Sequence, residues 1–224
     1  MVTMYVVRHC EAMGNVERIF QGNSDFDISP LGAKQLEKLK ERFDGVKLDA
    51  VYSSPKIRAY KTAQSIVGDK NIEIIKDDGL RELNGGIIEG LKFTEIYERW
   101  PEIEETWTYA PQNFATEGGE SMRSVYERIW KTVLKIAKEN VGKTVAIATH
   151  GAASRCLLCR IQKGTVEELI NVSWTDNTSV TKIVFDDDFG CTVEYENDTS
   201  HLTPELLPRA HKISSIILDQ KGLL

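Results

Sequence analysis

His9, His150, Arg8, Arg58 and Glu82 are the side chains in this chain whose types could do chemistry together. A neutral imidazole can attack an electrophile such as phosphorus. A guanidinium presents a planar fork of donors that fits the oxygens of a phosphate. A carboxyl group can give a proton to a leaving oxygen. Each of these residues alone has an ordinary explanation. A histidine at a strand end is usually structural or solvated, an arginine early in a helix usually lies on the surface, and a loop glutamate is usually exposed. What changes the reading is that all of them fall where strands end.

The elements that would place them follow from hydrophobic patterning. Residues 3–8 read as a buried strand ending in Arg8-His9. After a polar loop from Glu11 to Asp27, Ser29-Pro30 has the cap-and-proline form of a helix start, and the helix should run to about Phe43. Leu48–Tyr52 reads as a second strand. Ser54-Pro55 repeats the helix start, which would put Arg58 one turn in. Ile72–Ile75 is a third strand, with Arg81-Glu82 just beyond. Ser121 or a nearby residue should cap a long helix to about Lys138. Thr144–Thr149, small and β-branched, reads as a strand covered on both faces and ends at His150-Gly151. A helix over Ala152–Ile161 follows. Ser179–Phe185 and Cys191–Glu196 flank Asp186-Asp187-Asp188-Phe189-Gly190 as a hairpin. The expected fold is a three-layer α/β/α sandwich with a mainly parallel sheet and one antiparallel edge strand. In such sheets ligands bind at the carboxyl ends of the strands. Residues 1–196 are expected to form one domain, with 84–120 inserted as a lid or subdomain holding a helix over Phe93–Trp100. Residues 197–224 would be a tail with a helix near Pro208–Asp219.

Composition narrows the function classes. Hydrophobic residues at 41% and charged residues at 28% suit a soluble globular domain. The net charge of -6 argues against nucleic acid or an anionic membrane as a partner. It does not argue against an anionic small molecule, because a buried arginine acts locally. At ~4 Å and an effective dielectric near 20, each attracts a phosphate by about 4 kcal/mol gross. The apolar start of the chain is short and interrupted by Arg8, so it reads as a strand and not as a signal peptide, and a cytoplasmic location is expected. Cys10, Cys156, Cys159 and Cys191 form no disulfide framework. Cys156-Leu157-Leu158-Cys159 has C-x-x-C spacing but no second ligand pair, so buried helix packing is the expected role.

The motifs together resemble the histidine phosphatase (phosphoglycerate mutase-like) superfamily. Arg8-His9-Cys10-Glu11 is similar to its R-H-G-E signature, with Asn15 and Gln21-Gly22 following. The likeness continues through Ile28-Ser29-Pro30-Leu31-Gly32, Gln35, Tyr52-Ser53-Ser54-Pro55, Arg58-Ala59, Thr62-Ala63, Leu80-Arg81-Glu82-Leu83 and Glu89-Gly90. Gly118-Gly119-Glu120-Ser121, Thr149-His150-Gly151 and Asn177-Thr178-Ser179-Val180 complete it, in order, from residue 4 to about 185. Phosphohistidine chemistry comes from this resemblance and not from spacing. The resemblance implies that His9 is the nucleophile and that Arg8, Arg58 and His150 bind the phosphoryl oxygens. It also implies that Asn15, Gln21, Gly22 and Gly151 contact phosphate or substrate. Glu82 would protonate the leaving oxygen and then activate water, which calls for an apolar or carboxylate-rich setting. No metal and no cofactor are implied. The implied partner is a small-molecule phosphate ester, and a homodimer is compatible with the reading.

One position departs from the pattern: Cys10 stands where the family has glycine. If its φ were positive, cysteine would be strained by about 1–2 kcal/mol. If its φ is negative, cysteine merely fills space, which is the expectation; the alternative is a thiol near the phosphate that oxidation could use to switch activity off. Cysteine is further expected to lower activity relative to glycine. Leu83–Gly90 resembles the shorter stretch of the family's phosphatases and not the longer one of its mutases, which implies a phosphatase over a mutase, and the filled catalytic positions favour either over an inactive phosphoester-binding protein. Phe93, Tyr97, Trp100, Trp107, Tyr109 and Phe114 would either grip the leaving group or form the insertion's own core. His201 and His211 are expected to be structural or exposed.

Overall fold

The computed structural model describes residues 1–207. Its elements are β1 (Val2–Arg8), α1 (Met13–Val16), α2 (Pro30–Phe43), β2 (Ala50–Ser53), α3 (Ile57–Val67), β3 (Ile74–Lys76), α4 (Phe93–Arg99), α5 (Pro101–Tyr109), α6 (Met122–Glu139), β4 (Thr144–Thr149), α7 (Gly151–Gln162), β5 (Val180–Phe185) and β6 (Cys191–Asp198). The strands form one sheet in the order β3-β2-β4-β1-β5-β6. β3, β2, β4 and β1 are parallel, and the β5–β6 hairpin adds the antiparallel edge, β5 running against β1.

Side-chain alternation along the central strands builds the three layers. Met4, Val6, Val145 and Ile147 face one way and pack with Val125, Ile129, Val133 and Ile136 of α6 and with α7. Val7, Val51, Ala146 and Ala148 face the other way and pack with Leu39 and Phe43 of α2 and with Ala63 and Ile66 of α3. Each such Leu, Ile, Val or Phe, fully buried, contributes about 1.5–3 kcal/mol. The register then fixes the chemistry. Arg8 pairs with Thr149 across β1 and β4, so His9 and His150 leave neighbouring strands side by side.

The caps are partly as expected. Ser29 Oγ accepts from Gly32 N at 2.9 Å, and Ser121 Oγ accepts from Ser124 N at 3.1 Å. Ser54-Pro55 does not start α3. That helix begins at Ile57, whose N–H donates to Asp25 Oδ1 at 2.7 Å, while Ser54 Oγ bonds His150 Nε2 at 2.8 Å. The loop aspartate caps the helix, and the serine serves the site. Two more elements depart from the sequence reading. The polar loop after β1 contains the short α1, closed by a bridge between Ala12 and Ile28. Pro101 ends α4 but also opens α5, because proline at the first helical position loses no needed hydrogen bond. The helix expected near 208–219, and His211 with it, lie outside the described residues. Among the described residues, no helix is long and apolar enough to cross a membrane.

Candidate active site

The carboxyl ends of β1 and β4 place the two imidazoles with ring centroids 5.2 Å apart and planes tilted by 59°. His9 is buried, and its Nδ1 lies 2.6 Å from its neighbour's carbonyl, Cys10 O. That carbonyl can only accept, so Nδ1 carries the hydrogen and Nε2 keeps its lone pair. The strand end is held firmly. His9 N donates to Thr149 O at 2.9 Å, Asn177 Nδ2 donates to His9 O at 2.9 Å, and Thr178 N donates to Arg8 O at 3.0 Å. Burial first, then the charges of Arg58 and Arg8, hold the His9 imidazole well below the usual histidine range, against a smaller upward pull from the Cys10 carbonyl. Burial and then Arg58 do the same to His150. Both rings are therefore neutral at physiological pH.

Arg58, in the first turn of α3, is fully buried. Its Nη1 donates to Ser24 O at 2.8 Å and its Nη2 to Gly22 O at 2.7 Å. Gly22 adopts φ +43°, and a Cβ there would run into the Glu89 carboxylate, so the loop needs glycine at this position. Arg8 donates from Nη1 to the Thr175 carbonyl. The Nε atoms of Arg8 and Arg58 and Nδ1 of His150 are buried with no hydrogen-bond partner among the described residues. Burial lowers both guanidinium pKa values, and the nearby Glu82 carboxylate opposes that most.

Glu82 sits differently from expectation. Its carboxylate accepts from Leu83 N at 3.0 Å, Ala152 N at 3.0 Å and Ala153 N at 3.2 Å, the last two in the first turn of α7. The setting is a helix N-terminus, neither apolar nor carboxylate-rich. Its loop is clamped by Arg128 of α6, which the sequence reading did not single out. Arg128 donates to Gly79 O at 3.0 Å, Arg81 O at 2.9 Å and Glu82 O at 3.3 Å, and both ends of its fork reach Glu120 at 2.9 Å. Arg81 takes no part and pairs with Asp78 at 3.4 Å.

Arg8, His9, Arg58 and Glu82 line one cavity of about 270 Å³, together with Asn15, Gln21, Gly22 and Gly151. His150 is fully buried beside His9 and is not part of the cavity wall. Asn15 is tied back to Ala12 N at 3.0 Å, and Gln21 Oε1 is buried without a partner among the described residues. Gly151 opens α7 where a Cβ would stand 3.3 Å from both Arg8 Cζ and Trp174 Cζ3. The rest of the wall includes Ile19, Phe20, Leu83, Phe93, Trp107, Trp174, Thr175 and Asp176. The segment from 174 to 176 belongs to no periodic element, so no sequence pattern marks it as part of the site. Of the aromatics between Phe93 and Phe114, Phe93 and Trp107 reach the cavity, whereas Phe114 is core and Tyr109 is exposed.

Cys10 is not strained, because its φ is not among the positive ones. Its side chain is buried, its N–H donates to Thr62 Oγ1 at 3.1 Å, and burial pushes the thiol up to about 12. It is not among the residues that line the cavity, so cysteine fills space here as expected, and neither the strain nor the redox alternative holds. Cys156 and Cys159 are free, buried thiols on α7. His201 accepts from Arg42 Nη1 at 3.1 Å, away from the cavity, and burial with Arg42 lowers it to about 4.

Comparison with known proteins agrees with this geometry. Phosphoserine phosphatase 1 of Hydrogenobacter thermophilus is 35% identical over 161 residues, which cover 72% of this chain and 76% of that one. A 2,3-bisphosphoglycerate-dependent phosphoglycerate mutase of Bartonella tribocorum is 34% identical over 183 residues, covering 75% and 85%. The solved structure of Bacillus stearothermophilus YhfR superposes with a TM-score of 0.86 at 33% identity, covering 90% of this chain and 99% of that one. Residues 4–199 match the histidine phosphatase superfamily (branch 1), and the chain belongs to that family.

Proposed function

We propose that the protein is a phosphomonoester hydrolase, of the histidine acid type, that works through a covalent phosphohistidine on His9. One observation carries the reading. A neutral His9 with a free Nε2 lies among three buried donors that lack partners among the described residues, Arg8 Nε, Arg58 Nε and His150 Nδ1. Each unsatisfied buried donor costs about 1–3 kcal/mol, and more when charged. A phosphoryl group brings three acceptor oxygens and negative charge, and so removes that cost. In this reading the Ser54 hydroxyl donates to His150 Nε2, which leaves Nδ1–H for the ligand.

The reaction has two displacements. His9 Nε2 attacks phosphorus, the P–O ester bond breaks, and the leaving oxygen takes a proton through Glu82. In this reading the substrate supplies that proton by entering as its monoanion, and Glu82, held by the Ala152 and Ala153 N–H groups, hands it on. Water then attacks phosphorus, the P–N bond breaks, Glu82 takes the water's proton and gives it up to the departing phosphate or to solvent, and inorganic phosphate leaves. Arg8, Arg58 and His150 stabilise the charge on the equatorial oxygens throughout, the task a metal ion performs in other phosphatases.

The test is a brief pulse with a radiolabelled phosphomonoester, an alkaline quench and peptide mapping. Label on His9, and loss of both label and turnover in His9→Ala, is the expected result. Turnover that leaves His9 unlabelled, or that a chelator abolishes, overturns the reading. Incubation with 3-phosphoglycerate should release free phosphate and should not move the phosphoryl group to the neighbouring oxygen.

A further inference from the structure

The wall of the cavity beyond the phosphoryl end is uneven in a way that selects the leaving group. We infer that the preferred substrate is the phosphate ester of an alcohol that carries a ring or comparable apolar group and no carboxylate. This rests on the reading of His9 as the nucleophile and narrows it to a substrate class.

Ile19, Phe20, Leu83, Phe93, Trp107 and Trp174 supply the outer wall. The aromatic members are braced and not loose. Trp107 stands edge-on to Phe114 at 4.8 Å and lies 5.6 Å from Phe20 and 5.5 Å from Trp174. Trp174 is covered on one side by the Arg155 guanidinium at 4.8 Å, and Arg155 is itself anchored to Val172 O and Leu169 O at 2.7 and 2.9 Å. A preformed apolar wall holds a ring at little ordering cost.

The charges point the same way. Among the described residues, the cations lining the cavity are Arg8 and Arg58, and both belong to the phosphoryl end. The other charged groups lining it are the carboxylates Glu82 and Asp176. Asp176 is fixed by Asn197, whose Nδ2 donates to its Oδ2 at 3.0 Å. Among the described residues, a carboxylate on the substrate alcohol finds no arginine or lysine of its own there and meets a carboxylate of like sign, which costs affinity. An uncharged ring meets neither problem.

The experiment compares kcat/KM for 2-phenylethyl phosphate, ethyl phosphate, 3-phosphoglycerate and O-phosphoserine. All four release a primary alcohol, so differences in leaving tendency are small and the ratios report recognition. Burying the ring should favour 2-phenylethyl over ethyl phosphate by about tenfold or more. Both carboxylate-bearing esters should fall below ethyl phosphate. Trp107→Leu and Phe93→Leu should each shrink the ring's advantage to about threefold, and Asp176→Asn should raise 3-phosphoglycerate relative to ethyl phosphate by about tenfold. Each ratio is taken within one protein preparation, so a variant that is partly unfolded still reports selectivity. If 3-phosphoglycerate or phosphoserine matches or exceeds 2-phenylethyl phosphate while turnover still requires His9, this inference falls and the hydrolase reading stands. If no ester is hydrolysed in a His9-dependent way, both fall.

Discussion

Replacing Arg128 with methionine tests whether Glu82 acts as the proton carrier and whether its position is made at a distance. Arg128 does not line the cavity, yet its guanidinium donates to three carbonyls of the segment 79–82 and to both oxygens of Glu120. Glu120 Oε2 also accepts from Asn84 N at 3.1 Å, so the pair spans both sides of Glu82. Breaking a buried pair costs about 3–5 kcal/mol. Here the side chains are 20% and 27% exposed, so about 2–3 kcal/mol of stability is the expected loss. The catalytic effect should be larger than the stability effect implies. A misplacement of about 1 Å can cost ~100-fold, and general acid catalysis contributes ~100- to 10,000-fold. Turnover of ethyl phosphate, whose alkoxide cannot leave without a proton, should therefore fall about 100-fold. Turnover of 2,4-dinitrophenyl phosphate, whose oxyanion leaves unaided, should fall less than about threefold if phosphorylation of His9 limits the rate. Adding Glu82→Gln to the variant should cost ethyl phosphate little more, because the two changes remove one function. An equal loss for both esters would mean that the clamp supports the phosphoryl end or the fold at large. No loss for either would mean that the loop holds Glu82 without it.

Three further outcomes follow from other parts of the site. Gly22→Ala should lose at least about 2 kcal/mol in chemical denaturation, from the φ of +43° and the clash with Glu89, and should weaken turnover through the Arg58 acceptor it displaces. Cys10→Gly should leave turnover within about twofold and cost about 1–3 kcal/mol through the lost side chain and added backbone freedom; a gain in turnover would show that cysteine burdens the site after all. The depressed histidines give stability a sign with pH. His9 and His150 stay neutral in the fold, whereas in the unfolded chain they take up protons below 6.5. Stability should therefore be full above that pH and fall on acidification, by about 1.4 kcal/mol per pH unit for each histidine. Denaturation midpoints at neutral and mildly acid pH check this, and a midpoint that rises on acidification would contradict it.

The parts of the site that were legible in the sequence are those that lie next to a recognisable strand or helix start. Arg8-His9 and His150-Gly151 follow runs of buried residues, and Arg58 follows a short strand by a few positions, so their side of the sheet could be read locally. Their mutual distance could not, because it depends on β1 pairing with β4 in the Arg8–Thr149 register, a contact between distant segments. Ser54 shows the same limit from the other side. Its neighbour Pro55 gives it the look of a cap, but Asp25, remote in sequence, takes the cap and frees the serine for His150. Arg128 is one polar position among several on an amphipathic helix, and nothing nearby marks it as the residue that reaches the Glu82 loop. Trp174 and Asp176 lie between a 3₁₀ segment and β5, where no periodicity exists to assign a face.

Glu82 is where local reasoning and structure disagree most usefully. A group that must give a proton was expected in an apolar or carboxylate-rich setting, yet this one rests on three N–H donors, two of them at the start of α7. Such a cradle suits the second half-reaction, in which Glu82 takes a proton from water. It then constrains the first. In the proposed cycle the proton for the leaving oxygen comes in with the substrate, and a phosphomonoester carries one only below its second ionisation near pH 6. The helix that holds the base and the neutral His9 that needs no deprotonation thus assign opposite ends of the pH profile to different molecules. The acid limb belongs to the enzyme's imidazole, which burial keeps uncharged. The alkaline limb belongs to the ester, and it should move when the second ionisation of the ester is shifted by substituting its phosphorus oxygens with sulfur, while the acid limb stays in place.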